Sequence, residues 1–350
     1  MSRPTLLLAY ETEAACRAQL LREGFEARHA FEISSYLAQS TDLAAEFDDL
    51  YAAFARVGIA FQPVELDRLD SALAESDASA TLVWTLTDGI AYFRGSIAPA
   101  LARLRGFHTL GSDDSLFALC QDKFRSGAVL HAMGLPCPRA GLARDGVWLV
   151  EPPASALGWF VKPNRLGAKI GIYPDSHVQQ LEDALEISRR VHAAYRDDVI
   201  VQPYVGGRNV RASFLAVERS ATVEKLGVSF VDSGGDFQTM QDSLALYGET
   251  GGAAKASGAY AQPELLDVAL SLPHADQAIR AVAAQLVQTL GLRDVFSLDL
   301  RVEPDGALHL IEFEVCPGLP CFDFRDYCSR IWGLSLPEAM AQAALARLTR

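Results

Sequence analysis

The 350-residue chain is poor in lysine, which occurs five times, and in methionine, which occurs four times. It contains no CxxC pair. Its six cysteines, at 16, 120, 137, 316, 321 and 328, are scattered. That spacing matches no common zinc or iron–sulfur pattern and fits free thiols in a reducing cytosol, so a cytoplasmic location is expected. No apolar run reaches the ~18–20 residues of a membrane span. The run in MSRPTLLLAY is too short for a secretory segment and reads as a first strand. Positive charge is in deficit: 31 Lys and Arg against 44 Asp and Glu leave a net charge of −13. Nucleic acid and membrane are therefore not expected partners. The seven histidines form no ligand-spaced set, and there are no internal repeats or heptads. What remains is ordinary globular composition, 50% apolar and 21% charged, in a chain long enough for two or three domains.

The most informative stretch is Val295–Pro320, VFSLDLRVEPDGALHLIEFEVCPGLP. Phe296–Val302 and Ala307–Val315 alternate apolar with polar, and Glu303-Pro304-Asp305-Gly306 between them has turn chemistry, so a β-hairpin is expected. Glu312 and Glu314, two apart on a strand, share a face, and cross-strand pairing can bring Asp299 beside them. Three converging carboxylates repel one another unless a hard cation lies between them. Mg²⁺ carried with a phosphate-bearing nucleotide is the usual solution. The alternative is a solvated polar strand face.

Along the chain, Thr5–Tyr10, Ile59–Val64, Thr81–Leu86 and Phe107–Leu110 read as strands alternating with helices, including one over 36–57, which argues for a small open parallel sheet. A domain boundary falls between 110 and 138, where Gly134-Leu-Pro-Cys-Pro138 breaks the pattern. Trp159–Pro163 is a strand running into NRLGAKIG, a loop of flexible backbone N–H groups with two cations that could cradle polyphosphate. Strands are expected at Asp198–Val205, Arg208–Glu218 and Lys225–Phe230, and helices at His177–Tyr195, Pro263–Leu272, Ala275–Leu290 and Ser335–Leu348. Asp232–Gly258, rich in Gly, Ser and Ala, reads as a functional loop or lid.

Taken together, TDG at 87–89, GSDDSLFALCQDKFRS at 111–126, GLPCP at 134–138, FVKPNRLGAKIGI at 160–172, VQPYVGGRNVR at 201–211 and SLDLRVEPDGALHLIEFEVCPGL at 297–319 resemble the ATP-grasp carboxylate–amine ligases, and within them the D-alanine–D-alanine ligases. The resemblance spans residues 81–348. It implies an α/β (α+β) ATP-grasp fold with the nucleotide held between two sheets. An N-terminal open parallel domain (1–110) would precede a central subdomain (111–200, phosphate loop 162–171) and a C-terminal one (201–350, metal hairpin and lid 232–258). Lys123 and Lys162 would contact the ATP phosphates, and Gly167–Gly171 would close on them. Gln202, Tyr204 and Val205 would line the adenine cleft, and Asn209 would hold the ribose. Asp299, Glu312 and Glu314 would hold two Mg²⁺ ions, with Mn²⁺ as a substitute. Arg165, Lys169 and, from the lid, Lys255 could reach phosphate. The implied reaction is attack of a small-molecule carboxylate on the γ-phosphate, then of an amine on the acyl phosphate. Homodimers are common in the family.

Several positions depart from the family pattern. Glu314 stands for an expected Asn, Asn209 for an acid, Gln202 for an acid, and Ala168 for a serine. Ser297 stands where D-alanine–D-alanine ligases carry an oxyanion-stabilising arginine. The glycine-rich N-terminal segment with its substrate-binding glutamate is not recognisable in LLLAYETEAACR. These departures point away from D-alanine and toward a specialised dipeptide product. Arg211, in a GxDxR-like stretch, is the candidate for the missing arginine's role. Arg325 is the candidate for a substrate carboxylate, which its planar fork suits.

Overall fold

The computed structural model describes residues 3–41, 43–87, 95–232, 237–240 and 264–349. Among these the strands form three sheets. The first comprises β1 (Thr5–Tyr10), β2 (Ala60–Glu65), β3 (Thr81–Thr85) and β4 (His108–Leu110), all parallel, in the order β2-β1-β3-β4. Between them run α1 (Glu13–Arg22), α2 (Ala27–Ser40), α3 (Phe47–Arg56), α4 (Leu69–Glu75) and α5 (Ile97–Leu104). A parallel strand covered on both faces must be apolar throughout, and Leu6 to Ala9 are fully buried. Their alternation divides two cores. Leu6 and Leu8 pack with Phe54, Phe61 and Trp84, whereas Leu7 and Ala9 pack with Leu69, Leu73, Ala98 and Ala102.

After α6 (Asp114–Cys120) and α7 (Lys123–Ala132) comes an antiparallel sheet of β5 (Gly141–Arg144), β6 (Val147–Val150), β7 (Trp159–Pro163), β8 (His177–Val178) and β9 (Val199–Pro203), ordered β6-β5-β9-β7-β8, with α8 (Leu181–Tyr195) packed on it. The third sheet, ordered β12-β11-β10-β13-β14, is built from β10 (Arg208–Leu215), β11 (Gly227–Asp232), β12 (Glu264–Asp267), β13 (Val295–Val302) and β14 (Leu308–Glu314). It is covered by α10 (Pro273–Leu290), which follows the single turn of α9 (Val268–Ser271). α11 (Phe322–Tyr327) and α12 (Leu336–Leu348) close the chain. α12 starts at a capping box of Ser335 and Glu338 and packs against α3, joining the first and third sheets into one core.

The parallel sheet and the β13–β14 hairpin match the expectation from sequence. Other stretches differ. The helix expected over 36–57 is two helices, one ending at Ser40 and one starting at Phe47 after a 3₁₀ turn at Ala44–Glu46; Ser and Thr at 40 and 41 favour helix ends over helix interior. The helix expected over 263–272 is β12 followed by one helical turn. Residues 264–267 complete an edge ladder with β11, and tertiary pairing overrides a weak local preference. The β5–β6 hairpin was not expected, although Asp145-Gly146, both at positive φ, is a strong turn signal. The lid assigned to 232–258, including Lys255, falls outside the described residues apart from Asp232 and 237–240.

One contact crosses from the first segment to the second sheet. Leu20, Phe25, Ala30 and Ile33 of the α1–α2 hairpin bury themselves with Val161, Leu166, Ile170 and Tyr195. Arg196 stacks 4.1 Å from the Phe25 ring and donates to the Glu23 and Gly24 carbonyls at 3.1 and 2.9 Å. Tyr195 Oη donates to buried Glu32 at 2.8 Å.

The turn from β9 into β10 depends on one glycine. Gly207 has φ +90°, and a Cβ there would come 2.3 Å from the Val302 carbonyl oxygen, whereas nothing lies within 4 Å of one at Gly206. Gly207→Ala should therefore lower stability by roughly 1–3 kcal/mol and Gly206→Ala by less than about 0.5 kcal/mol. Denaturant unfolding followed by circular dichroism checks this; equal losses at the two positions would contradict it.

Candidate active site

The hairpin brings the three acids together as its periodicity requires. Asp299 pairs with Glu312 and Ser297 with Glu314, and the register skips Ile311 at a bulge beside Asp299. One oxygen from each of Asp299, Glu312 and Glu314 lies within 4.8 Å of the others. The Asp299 and Glu314 side chains are each 33% exposed, so the cluster opens to one side.

Cations reach it from both antiparallel sheets. Lys162, next to last in β7, places Nζ 4.0 Å from Glu312. Lys123 opens α7, with Nζ 3.5 Å from Glu312 and donating to the Leu166 carbonyl at 2.8 Å. Its position is fixed by Asn164, whose side-chain oxygen accepts from the Phe124 amide at 2.8 Å and whose carbonyl accepts from the Lys123 amide at 3.1 Å. Arg211, opposite Asp299 in the β10–β13 ladder, donates to Asp299 at 2.6 Å and Glu314 at 2.7 Å, and its Nε lies 3.3 Å from Asp323. Ser297 also donates to Glu314, at 2.9 Å. Burial raises the cost of every charge here. At Glu312 the two lysines and Arg211 outweigh burial and hold the carboxyl at about 2, whereas at Asp299 and Glu314 burial prevails and their values rise. Burial lowers Lys162; at Lys123 it is outweighed by Glu312, Asp197 and Glu314, and the value rises.

The loop after β7 is tied to this cluster through Lys123, which donates to its Leu166 carbonyl and faces Glu312. Ala168 and Lys169 both take left-handed φ, 44° and 66°, followed by Gly171 at 71°. Two successive left-handed residues make a tight turn, closed by the Ile170 amide donating to the Gly167 carbonyl at 3.0 Å, and the Ile172 amide donates to the Lys169 carbonyl at 2.9 Å. Leu166 and Ile170 anchor the loop in the core around Gly167. Arg165 is held by Asp197, through its amide at 2.8 Å and Nε at 2.9 Å. Lys169 bears electrostatically on Cys321, whose thiol burial pushes up to about 12.

The residues expected at the adenine cleft lie around the β9–β10 turn between the two antiparallel sheets. Gln202 is buried, with its amide 3.4 Å from the Pro138 carbonyl. Tyr204 stacks on His177 with ring centroids 3.8 Å apart, and Val205 follows it into the turn. Asn209 pairs in register with Arg301, which donates to the Gly206 and Gly207 carbonyls. Arg325 stands apart from this group. Its guanidinium pairs with Glu46, ahead of α3, and donates to the Pro320 carbonyl. Neither Asp323 nor Asp326 is its partner: Asp323 faces Arg211, and Asp326 faces Arg330.

Sequence reading assigned no individual role to Glu11, within LLLAYETEAACR, or to Thr87, within the TDG motif. Both are buried, at the carboxyl ends of β1 and β3, with Thr87 Oγ1 donating to Glu11 at 3.4 Å. The chain turns to opposite sides of the sheet around β1, and open α/β sheets hold ligands at the carboxyl ends of strands flanking such a point. The loop after the acid hairpin reaches the same edge, where Cys316 Sγ donates to the Thr85 carbonyl at 3.7 Å. A buried acid directly after an apolar strand was the available signal.

Asp197 accepts from the Arg165 amide and guanidinium and from the Asp198 amide. Asp197→Ala should thus leave buried donors unpaired, at a cost of roughly 1–3 kcal/mol, and loosen the loop. Unfolding midpoints and nucleotide-analogue binding by calorimetry check both effects; unchanged affinity would separate this pair from the loop's function.

The D-ala D-ala ligase C-terminus family model matches residues 149–342. A D-alanine–D-alanine ligase of Azoarcus sp. (strain BH72) is 27% identical over 254 residues, 72% of this chain and 75% of that protein. Among solved structures, the D-alanine–D-alanine ligase from Bacillus anthracis complexed with ATP has a TM-score of 0.62 at 11% identity, covering 99% of this chain and 98% of that one. D-alanyl-alanine synthetase A from Vibrio cholerae has a TM-score of 0.61 at 18% identity, covering 100% of both. The structural likeness is one of fold. Among the described residues no helix is long and apolar enough to cross a membrane. The matched family model spans more than half of the chain, which therefore belongs to the D-Ala–D-Ala ligase family of ATP-grasp enzymes, ADP-forming ligases that use ATP and a divalent metal to make C–N bonds.

Proposed function

We propose that this ligase joins the carboxyl group of one small amino acid to the amine of another, in specialised-metabolite or dipeptide synthesis, in the cytoplasm. The observation that carries the reading is the meeting of Asp299, Glu312 and Glu314 with Lys123 and Lys162, beside the loop whose Leu166 carbonyl accepts from Lys123. Three hard oxygen donors within 4.8 Å suit Mg²⁺ or Mn²⁺. A divalent cation held there would offset charge on the transferring phosphate.

The two lysines and the loop 162–171 would hold the ATP phosphates, and Gln202, Tyr204, Val205 and Asn209 the nucleoside. A carboxylate oxygen of the first substrate bonds to the γ-phosphorus as ADP leaves. The amine nitrogen of the second then bonds to the acyl carbon as phosphate leaves and a proton is lost. No protein nucleophile is required, which suits a site of fixed charges. Arg211, reaching between Asp299 and Glu314, is suited to the oxyanion role left open by Ser297. Glu11, buried beside Thr87 at the sheet's carboxyl edge, suits a substrate ammonium group. Arg325, with its fork already on Glu46, suits a substrate carboxylate only by exchanging that partner. The working division is 1–110, 111–200 and 201–350, except that β9 (Val199–Pro203) crosses the second boundary and belongs with the central sheet.

The curated relatives favour a second reading, synthesis of D-alanyl-D-alanine itself. ADP release measured across D- and L-amino acids, with product mass spectrometry, separates the two. Amine-dependent ADP with a condensed product other than D-Ala-D-Ala supports the first, and D-Ala-D-Ala alone supports the second. A stable phosphorylated product, or ATP binding without turnover, would overturn both.

Two substitutions test the roles. Glu312→Ala should lower turnover by about 10²–10³-fold; near-normal activity would remove the metal assignment. Glu11→Gln should raise KM for one amino acid about tenfold or more and leave KM for ATP unchanged. A rise confined to ATP would place Glu11 elsewhere.

A further inference from the structure

Arg211 occupies an unusual place in the acid cluster. It sits on β10, a central strand of its sheet, paired with β11 on one side and β13 on the other, so its backbone is fixed. Its guanidinium spans two of the three acids, with Nη1 on Asp299 at 2.6 Å and Nη2 on Glu314 at 2.7 Å. Asp323, from α11, stands at the third edge, 3.3 Å from Nε. Serine at 213 and 297, paired across the strands beside it, leaves room for the long side chain. Glu312, the remaining acid, faces Lys123 and Lys162 instead.

The cluster is thus already divided. Asp299 and Glu314 share a permanent cation that also lies 3.3 Å from Asp323, and one oxygen of each lies within 4.8 Å of one on Glu312, where a single further ion could sit. A second dication between Asp299 and Glu314 would have to displace a guanidinium that cannot lose its charge. Repulsion between such charges at contact distance is large wherever water is partly excluded.

We infer that Arg211 is a built-in counter-charge that replaces one of the two divalent cations expected here, so that each chain loads a single metal ion with its nucleotide. The inference rests on the reading of Asp299, Glu312 and Glu314 as metal ligands, and it makes Arg211 the residue that sets metal stoichiometry.

The test is a Mn²⁺ titration of the full chain with a non-hydrolysable ATP analogue bound, counting free Mn²⁺ by electron paramagnetic resonance. The wild type should bind one Mn²⁺ per bound nucleotide. Arg211→Met, similar in reach but neutral, should bind two, the second at least tenfold more tightly than any second ion on the wild type. Arg211→Lys, which keeps the charge, should remain at one. Two ions on the wild type would overturn the inference while leaving the ligand reading intact. One ion on both wild type and Arg211→Met would overturn it as well, because the arginine would not be what keeps the second ion out. Nucleotide bound with no more Mn²⁺ than the analogue carries in buffer, and no loss on Glu312→Ala, would remove the ligand reading itself. Should Arg211→Met fail to fold by circular dichroism, Arg211→Gln, also neutral, takes its place in the count with the same outcomes.

Discussion

Four carboxylates and three protein cations share one small space, and the rest of the molecule is arranged to permit it. Asp299, Glu312, Glu314 and Asp323 face Lys123, Lys162 and Arg211, leaving one uncompensated negative charge among the seven groups. Partial burial makes each ion expensive alone and each pairing strong. The groups come from β7, the start of α7, β10, the β13–β14 hairpin and α11, so both antiparallel sheets must be in place before the charges balance. The two sheets are thereby positioned by the site as much as the site is by the sheets.

Much of this was legible in the sequence because it follows from local periodicity. Glu312 and Glu314 share a face by the two-residue repeat of a strand, and Pro304-Asp305-Gly306 specified the turn that brought Asp299 opposite. Lys162 could be placed because a strand-to-loop transition surrounds it. Arg211 was legible as a residue of interest but not as a partner of Asp299, 88 positions away, because strand order is not written in either strand. For the same reason the 264–267 ladder was read as helix: edge pairing with β11 is a tertiary fact. Glu11 was hidden by its ordinary context, since only the folded sheet reveals that β1 adjoins β3.

The departures from the family pattern acquire a spatial explanation. An arginine at 297 would point from β13 into the cluster, and serine vacates that volume. Arg211 enters it from the adjacent strand, and Glu314 together with Ser297 supplies hydrogen-bonding and charge on the other side. On the proposed reading, the positive charge missing at 297 is supplied from the adjacent strand by Arg211, while Glu314 in place of an Asn adds a negative one.

The α1–α2 hairpin carries a consequence for how the chain can be divided. The segment recognised as the ligase C-terminus begins at residue 149, yet Leu166 and Ile170 of the loop after β7 share a core with Leu20, Phe25, Ala30 and Ile33. A fragment cut at the family boundary would expose Leu166 and Ile170 to water and leave Arg196 without the Glu23 and Gly24 carbonyls. The catalytic portion of this ligase is therefore not a transplantable module. Recombination with a different N-terminal partner would have to carry the α1–α2 hairpin along, because the loop after β7 packs on it.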